Sequence, residues 1–102
     1  MIIVKCTSNA GINWGVYHRS LTAGNVLWLN TTDSQISGNY IGSSSPTSSS
    51  FYVSKAGGSI SNWDGYSYVA YLFAHNAGGF GDSGSDSIVS CGSFATDSGG
   101  NA

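Results

Sequence analysis

Asn62, Trp63 and Asp64, with Tyr66 two residues further on, form the local cluster with the clearest chemistry in the sequence. A flat aromatic ring can stack on the apolar face of a pyranose, while amide and carboxylate groups hold the sugar hydroxyls. A tryptophan in a loop is less often buried for packing alone than one in a strand. We therefore predict a glycan-binding site formed by these four residues, with a packing role for Trp63 as the alternative.

A second pattern, Gly81-Asp82-Ser83-Gly84, matches the nucleophile segment of trypsin-like serine proteases, and His18 and His75 lie upstream of it. A catalytic triad needs a histidine, an aspartate that orients it and oxyanion donors, and the trypsin-like enzymes build these across two barrels of far greater length. Serine and glycine supply 20 and 15 of the 102 residues, so a short string of this kind arises readily by chance. We predict no catalytic residue.

Oxygen ligands for calcium could come from Asp82 and Asp86, with Asn76 nearby. Their spacing fits neither the helix-loop-helix calcium loop nor the glycine-rich nonapeptide roll, and two carboxylates are few for a dedicated site. The sequence favours a solvated loop in this region.

Zinc is a further possibility for the two histidines, but a structural zinc site needs four ligands. Besides His18 and His75, only Cys6 and Cys91 are available, and their spacing does not match a zinc finger. We expect each histidine to lie at a strand end with a hydrogen bond to the backbone. The cysteines are expected to be reduced thiols in or near the core, with a disulfide as the alternative. No metal and no other cofactor is predicted.

Length and charge limit the elements that can carry these side chains. A chain of 102 residues forms one domain. The net charge is -2 with only three basic residues, which offers no footprint for a phosphate backbone, so nucleic-acid binding is not expected. No apolar run approaches the roughly 20 residues that span a bilayer, so no membrane span is expected.

Secondary structure is predicted to be almost entirely β, because good helix formers are sparse and apolar residues come in short runs bounded by turn-forming residues. Trp14 and Trp28 lie in such runs and are expected in the core. The strand-like runs are residues 2–6, 14–18, 26–30, 51–55, 68–75 and 87–94.

Alternation within these runs predicts which side chains are buried. The run 68–75 has no polar face, so we expect it to be covered on both sides or to lie in the centre of a sheet whose outer face meets a partner or a loop. Phe51 and Val53 are expected to face the core. The serine-rich stretch 31–50, which Tyr40-Ile41 interrupts, is too long for a structureless connection, so we expect part of it to pair as a short edge strand.

Four segments occur in an order that is similar to a known family. They are residues 14–21 (WGVYHRSL), 29–32 (LNTT), 46–51 (PTSSSF) and 65–74 (GYSYVAYLFA). Together they resemble the repeat module of tail-fibre and other large structural proteins of marine tailed phages, a concanavalin-like (laminin-G-like) jelly roll. Modules of that family usually begin further upstream and lead into a next copy. The chain is therefore similar to one unit of a tandem array, or to a stand-alone homologue with shifted boundaries.

The resemblance implies an antiparallel β-sandwich of jelly-roll type over residues 1–96, followed by a flexible tail or inter-repeat linker over 97–102. It implies a non-catalytic structural and adhesive module of a phage tail fibre or similar virion-surface protein, located on the virion and extracellular, that binds host-surface glycans. Neighbouring copies of the module or chain are the expected partners, including in a homo-oligomer, because an exposed edge strand invites pairing.

Two other functions are alternatives to the adhesive module. One is a pure spacer repeat that sets fibre length and has no ligand. The other is a glycan-degrading enzyme, which is less favoured because glycosidases use a pair of carboxylic acids and this chain has no Glu and five Asp.

Overall fold

The structure, a computed structural model of the 102-residue chain, describes residues 1–55 and 58–100. One 3-10 turn, η1 (Gly58–Ile60), is the helical element of these described residues, and it is too short to cross a membrane. The predicted all-β class is confirmed. Residues 101 and 102 of the predicted tail lie outside the described part of the chain. The strands are β1 (Ile2–Cys6), β2 (Gly15–Tyr17), β3 (Asn25–Trp28), β4 (Ile36–Ser37) and β5 (Tyr68–Leu72).

The five strands form one antiparallel sheet in the order β4-β3-β2-β1-β5. Strand β1 lies between β2 and β5, with Ile2 opposite Tyr17 on one side and opposite Leu72 on the other. Because β1 is antiparallel to both neighbours, β2 and β5 run in the same direction. The residues that follow them, 18–19 and 73–75, therefore emerge at the same end of the sheet.

One face of the sheet carries the core. Side chains alternate along β1, so Ile2 and Val4 are buried, and Val26 of β3 is fully buried on the same face. Ile41 and Ile60, from the connection between β4 and β5, cover this face and complete the buried cluster. Partly buried side chains surround it: Ile12, Tyr17, Trp28, Tyr40, Phe51 and Tyr68.

The predictions for tryptophan and cysteine can be checked one by one. Trp28 packs against the core as predicted, and its ring meets that of Tyr40 edge-on, with centroids 5.0 Å apart. Trp14 is only partly buried, and the Lys5 ammonium lies 5.6 Å from the centroid of its ring. Both cysteines are buried free thiols, which confirms the prediction of reduced thiols near the core.

Two of the predicted strands are wrong. Residues 51–55, all described by the structure, form no strand, and Val53 is exposed although Phe51 packs against the core. The backbone N–H of Ser54 donates instead to the buried hydroxyl of Ser61. Residues 87–94, also described throughout, form no strand either, and most of their side chains are exposed.

One edge of the sheet agrees with the prediction and the other does not. Strand β4 is the short edge strand predicted within residues 31–50, and Ile41, beyond it, is buried in the core. Strand β5 lies at the opposite edge rather than in the centre of the sheet, and Leu72 is 61% exposed. The Phe73 N–H donates to the Met1 carbonyl at 2.9 Å, so in the alternating ladder the next hydrogen-bonded pair is Ile3 and Tyr71. Ala70, between Tyr71 and the following such pair, therefore has its backbone N–H and C=O directed away from β1.

The second face of the sheet is apolar as well. Leu27, Val16, Ile3 and Tyr71 lie side by side on β3, β2, β1 and β5. Tyr71 is exposed, so its strand is not covered on both sides, which was one of the two predicted alternatives. The chain exposes 6437 Å², whereas a compact monomer of this mass would expose about 5,400 Å². Its radius of gyration is 15.3 Å, compared with about 13 Å for a compact domain of this length.

The buried hydroxyl of Ser61 links separate parts of the connection between β4 and β5, which covers the core face of the sheet. This hydroxyl donates to the carbonyl of Tyr40 at 2.5 Å and accepts from the N–H of Ser54 at 3.2 Å. Because the methyl group of Ser61→Ala can make neither bond, we expect the free energy of unfolding to fall by about 1–2 kcal/mol. Urea denaturation measures the change, and Ser43→Ala, at an exposed position, is the control. An equal effect of both variants would contradict the role of the Ser61 hydroxyl.

Candidate functional site

A groove of about 360 Å³ lies at the end of the sheet where β2 and β5 finish. Tyr17, Ile2 and Leu72, neighbours across three strands, form its floor, and Phe51 lines a wall. The volume is at the lower end of the range for small-molecule pockets, about 300–1,000 Å³. The groove is therefore suited to a small ligand, or to the end of a longer one.

Residues 46–50 line the groove with hydroxyl groups, and Thr47 holds this segment in shape. The Thr47 N–H donates to the Ser50 carbonyl at 2.8 Å, and the Thr47 hydroxyl accepts from the N–H groups of Ser49 and Ser50 at 3.3 and 3.0 Å. Pro46, which precedes it, fixes its own backbone φ angle. Among the described residues no hydrogen bond engages the exposed hydroxyls of Ser48 and Ser49, so both are available to a ligand.

Two basic side chains line the same groove, Arg19 after β2 and His75 after β5. The Arg19 Nη1 lies 3.1 Å from the His75 Nε2. The other ring nitrogen of His75, Nδ1, accepts a hydrogen bond from the backbone N–H of Cys91 at 2.9 Å. His18 Nδ1 accepts from the backbone N–H of Ser20 at 3.2 Å. The predicted backbone hydrogen bonds of both histidines are thereby confirmed.

The four residues predicted to bind glycan lie close in sequence between η1 and β5, and none of them lines the groove. Asn62 is exposed, and Trp63 is 45% exposed. The Tyr66 N–H donates to the Trp63 carbonyl at 3.2 Å, which closes a tight turn, and Gly65 has the positive φ that such a turn requires. The Trp63 indole is therefore open to solvent on this turn, and its glycan-binding role stays a prediction.

Asp64, the carboxylate of that turn, forms an ion pair with Lys55. The Asp64 Oδ1 lies 2.6 Å from the Lys55 Nζ, and both side chains are more than half exposed. Water screens such exposed pairs, and they stabilise a fold little. The pair therefore leaves the carboxylate accessible to a ligand from the solvent side.

Comparison with protein families assigns the chain to a family. The model of a domain of unknown function, DUF7483, matches residues 1–96. The chain belongs to the DUF7483 family. The matched segment contains all five strands of this DUF7483 domain, the groove and the turn at residues 62–66. Comparison with curated proteins found no match, and comparison with solved structures found none either.

In this DUF7483 domain the protease-like segment Gly81-Asp82-Ser83-Gly84 forms a turn. The Gly84 N–H donates to the Gly81 carbonyl at 3.1 Å, and the Ser83 Oγ lies 2.6 Å from the Ser85 Oγ. Within the described residues no hydrogen bond joins Ser83 to a histidine. Nor do any three His, Cys, Asp or Glu side chains in the described ranges gather where they could hold a metal ion.

Sequence reasoning missed Arg19 and the hydroxyl segment 46–50 as candidate functional residues. The only available signal was local: a proline and hydroxyl groups directly before an aromatic residue, Phe51, in residues 46–51. Arg19 and His75 are 56 residues apart in the sequence. They come together only because β2 and β5 pair with opposite sides of β1.

Proposed function

We propose that this DUF7483 domain is a non-catalytic structural and adhesive module of a phage tail fibre or similar virion-surface protein, and that its groove binds host-surface carbohydrate. The composition of the groove is the observation that carries the binding role. Tyr17 and Phe51 offer ring surfaces for the apolar face of a sugar, and the hydroxyl groups of residues 47–50 offer partners for sugar hydroxyls. The virion setting and the extracellular location rest on the four ordered segments that resemble the phage module.

The jelly-roll sandwich is part of the same proposal. A sandwich packs two layers face to face around one core. In this chain the connection between β4 and β5 covers one face of the sheet, with Ile41 and Ile60 at its buried side. The antiparallel strand order is compatible with a sandwich in which this connection takes the place of the second layer.

A spacer that sets fibre length and binds no ligand is the second candidate, and the exposed edge of β5 favours it. An unpaired strand edge is a template for another strand. Tyr71 and Leu72 of β5 are 46% and 61% exposed, so pairing along this edge would also cover apolar side chains. A second copy of this chain, paired along β5, is therefore the proposed partner in either function.

A substitution that fills the groove tests the binding role. Ser48 lines the groove and is exposed, so Ser48→Trp places a large ring there without disturbing the core. We expect the unmodified chain to bind a subset of glycans on an array, and Ser48→Trp to weaken that binding by about tenfold or more because the ring excludes the sugar. Ser43→Trp, exposed and outside the groove lining, is the matched control and should bind normally.

Trp63→Ala distinguishes the two candidate surfaces in the same assay. If Trp63→Ala abolishes binding and Ser48→Trp does not, the ligand lies on the turn at residues 62–66 rather than in the groove. If the unmodified chain binds no glycan at all, the adhesive function is wrong and the spacer function is favoured.

A further inference from the structure

The chain topology places two hydrogen-bond donors side by side in the groove. Arg19 follows β2 and His75 follows β5, and these strands end together because both are antiparallel to β1. The result is a distance of 3.1 Å between the Arg19 Nη1 and the His75 Nε2. The guanidinium can only donate.

The hydrogen bond on the far side of the His75 ring decides which nitrogen carries the proton. A backbone N–H is always a donor, and that of Cys91 points at the His75 Nδ1 from 2.9 Å. Nδ1 must therefore accept, and the proton of the neutral ring lies on Nε2. Nε2–H and the Arg19 N–H groups then face one another as donors, and neither satisfies the other. A group with acceptor oxygens satisfies both at once.

The charge around this donor pair is positive. No Asp or Glu lines the groove, and Arg19 has no carboxylate within 4.0 Å among the described residues. The one ion pair within residues 1–55 and 58–100 uses Lys55 and Asp64, which lie outside the groove lining. A cationic donor pair thus lies in a groove of a chain whose net charge is -2.

We propose that the groove binds an acidic saccharide, with the sugar carboxylate accepting hydrogen bonds from both Arg19 and His75. This inference rests on the proposed carbohydrate-binding function of the same groove. A carboxylate presents two adjacent acceptor oxygens, which matches two adjacent donors, and arginine binds it with a charge-assisted hydrogen bond. The sugar ring lies against Phe51, and its hydroxyls reach Ser48 and Ser49.

A matched pair of ligands tests this assignment. One ligand is an oligosaccharide of uronic acid units, and the other is the same oligosaccharide with its carboxyl groups reduced to alcohols. Titration calorimetry with the full chain should show tighter binding of the acidic form. Arg19→Gln should weaken binding of the acidic form by roughly ten- to a hundredfold, because a hydrogen bond to a charged group is lost, and should weaken binding of the reduced form much less, because its alcohol accepts only an uncharged-acceptor hydrogen bond.

Two control variants separate the donor geometry from net charge and from folding. Thr32→Asp changes the net charge by the same amount as Arg19→Gln, but at an exposed position outside the groove, and should not alter binding. Arg19→Lys keeps the charge but loses the planar fork of donors, so its affinity for the acidic form should lie between that of the unmodified chain and that of Arg19→Gln. Thermal unfolding of each variant confirms that it is folded before titration.

The outcomes distinguish this inference from the function on which it rests. Equal binding of the acidic and reduced forms, unaffected by Arg19→Gln, overturns the carboxylate assignment and leaves carbohydrate binding in place. If neither form binds, both proposals fail. If acetate or inorganic phosphate binds at Arg19 as tightly as the acidic oligosaccharide, the groove is a simple anion site and the sugar assignment is overturned.

Discussion

We expect Gly15→Val to lower the free energy of unfolding by about 2–3 kcal/mol, because this glycine makes room for the side chains that cover the sheet. Gly15 is opposite Val4 on β1, in the middle of the core face. A Cβ atom at this position would lie 2.8 Å from the Ile60 Cγ2 and 3.1 Å from the Ile41 Cδ1. Both isoleucines are buried, so neither can move aside without opening the core. The gain in strand propensity on replacing glycine, about 0.5–1 kcal/mol, does not offset this overpacking.

Urea denaturation measures the change, and Gly92→Val is the matched control. Gly92 is exposed, a Cβ there meets no atom within 4 Å, and its φ is not positive, so the same substitution should cost little. Gly15→Ala should fall between Gly15→Val and the unmodified chain. If Gly15→Val unfolds at the same urea concentration as the unmodified chain, Ile41 and Ile60 do not cover the sheet as described.

The strands that the sequence predicts well are those whose hydrogen bonds go to other strands. Residues 2–6 form β1 as predicted, because this short apolar run pairs on both sides and buries alternate side chains. Residues 51–55 have a similar composition but fail, because the Ser54 N–H donates to the Ser61 hydroxyl seven residues later. Local strand propensity takes no account of a hydrogen-bond partner elsewhere in the chain, so the pattern predicts a strand that does not form.

The position of a strand within the sheet was also beyond the sequence pattern. The run 68–75 lacks a polar face, which is typical of a central strand, yet β5 is an edge strand with Leu72 and Tyr71 exposed. The sequence pattern cannot distinguish a central strand from an apolar edge strand that pairs with another molecule. This is the strand that we propose to pair with a second copy of the chain.

The candidate site divides in the same way between local and long-range signals. The turn with Trp63 and Asp64 is local in sequence, and the pattern identifies it directly. The groove requires Arg19, His75 and residues 46–50, which only the strand order β2-β1-β5 and the folding back of the β4–β5 connection bring together. The backbone partners of both histidines were predictable, but not that His75 would face an arginine.

The second large effect that we expect is on the proposed self-association of the chain along β5. Ala70 is the central residue of this five-residue strand, and its backbone N–H and C=O point away from β1. In the pairing that we propose, two copies of β5 lie antiparallel about a two-fold axis with one Ala70 opposite the other, so that the most residues of both strands pair. This pairing would join the two five-stranded sheets into one.

Ala70→Lys should prevent this pairing, because it places two ammonium groups directly opposite each other across the axis, where like charges are destabilising. We expect a dissociation constant at least about tenfold weaker than that of the unmodified chain, measured by sedimentation velocity over a range of protein concentrations. Ala70→Ser adds a polar group without charge and should dimerise normally. Added salt should restore part of the pairing of Ala70→Lys, because it screens the repulsion.

Ala70 is exposed, so thermal unfolding of the lysine variant should change little. A wild-type chain that stays monomeric throughout, or a lysine variant that dimerises as well as the serine variant, would contradict the pairing of β5 with its own copy.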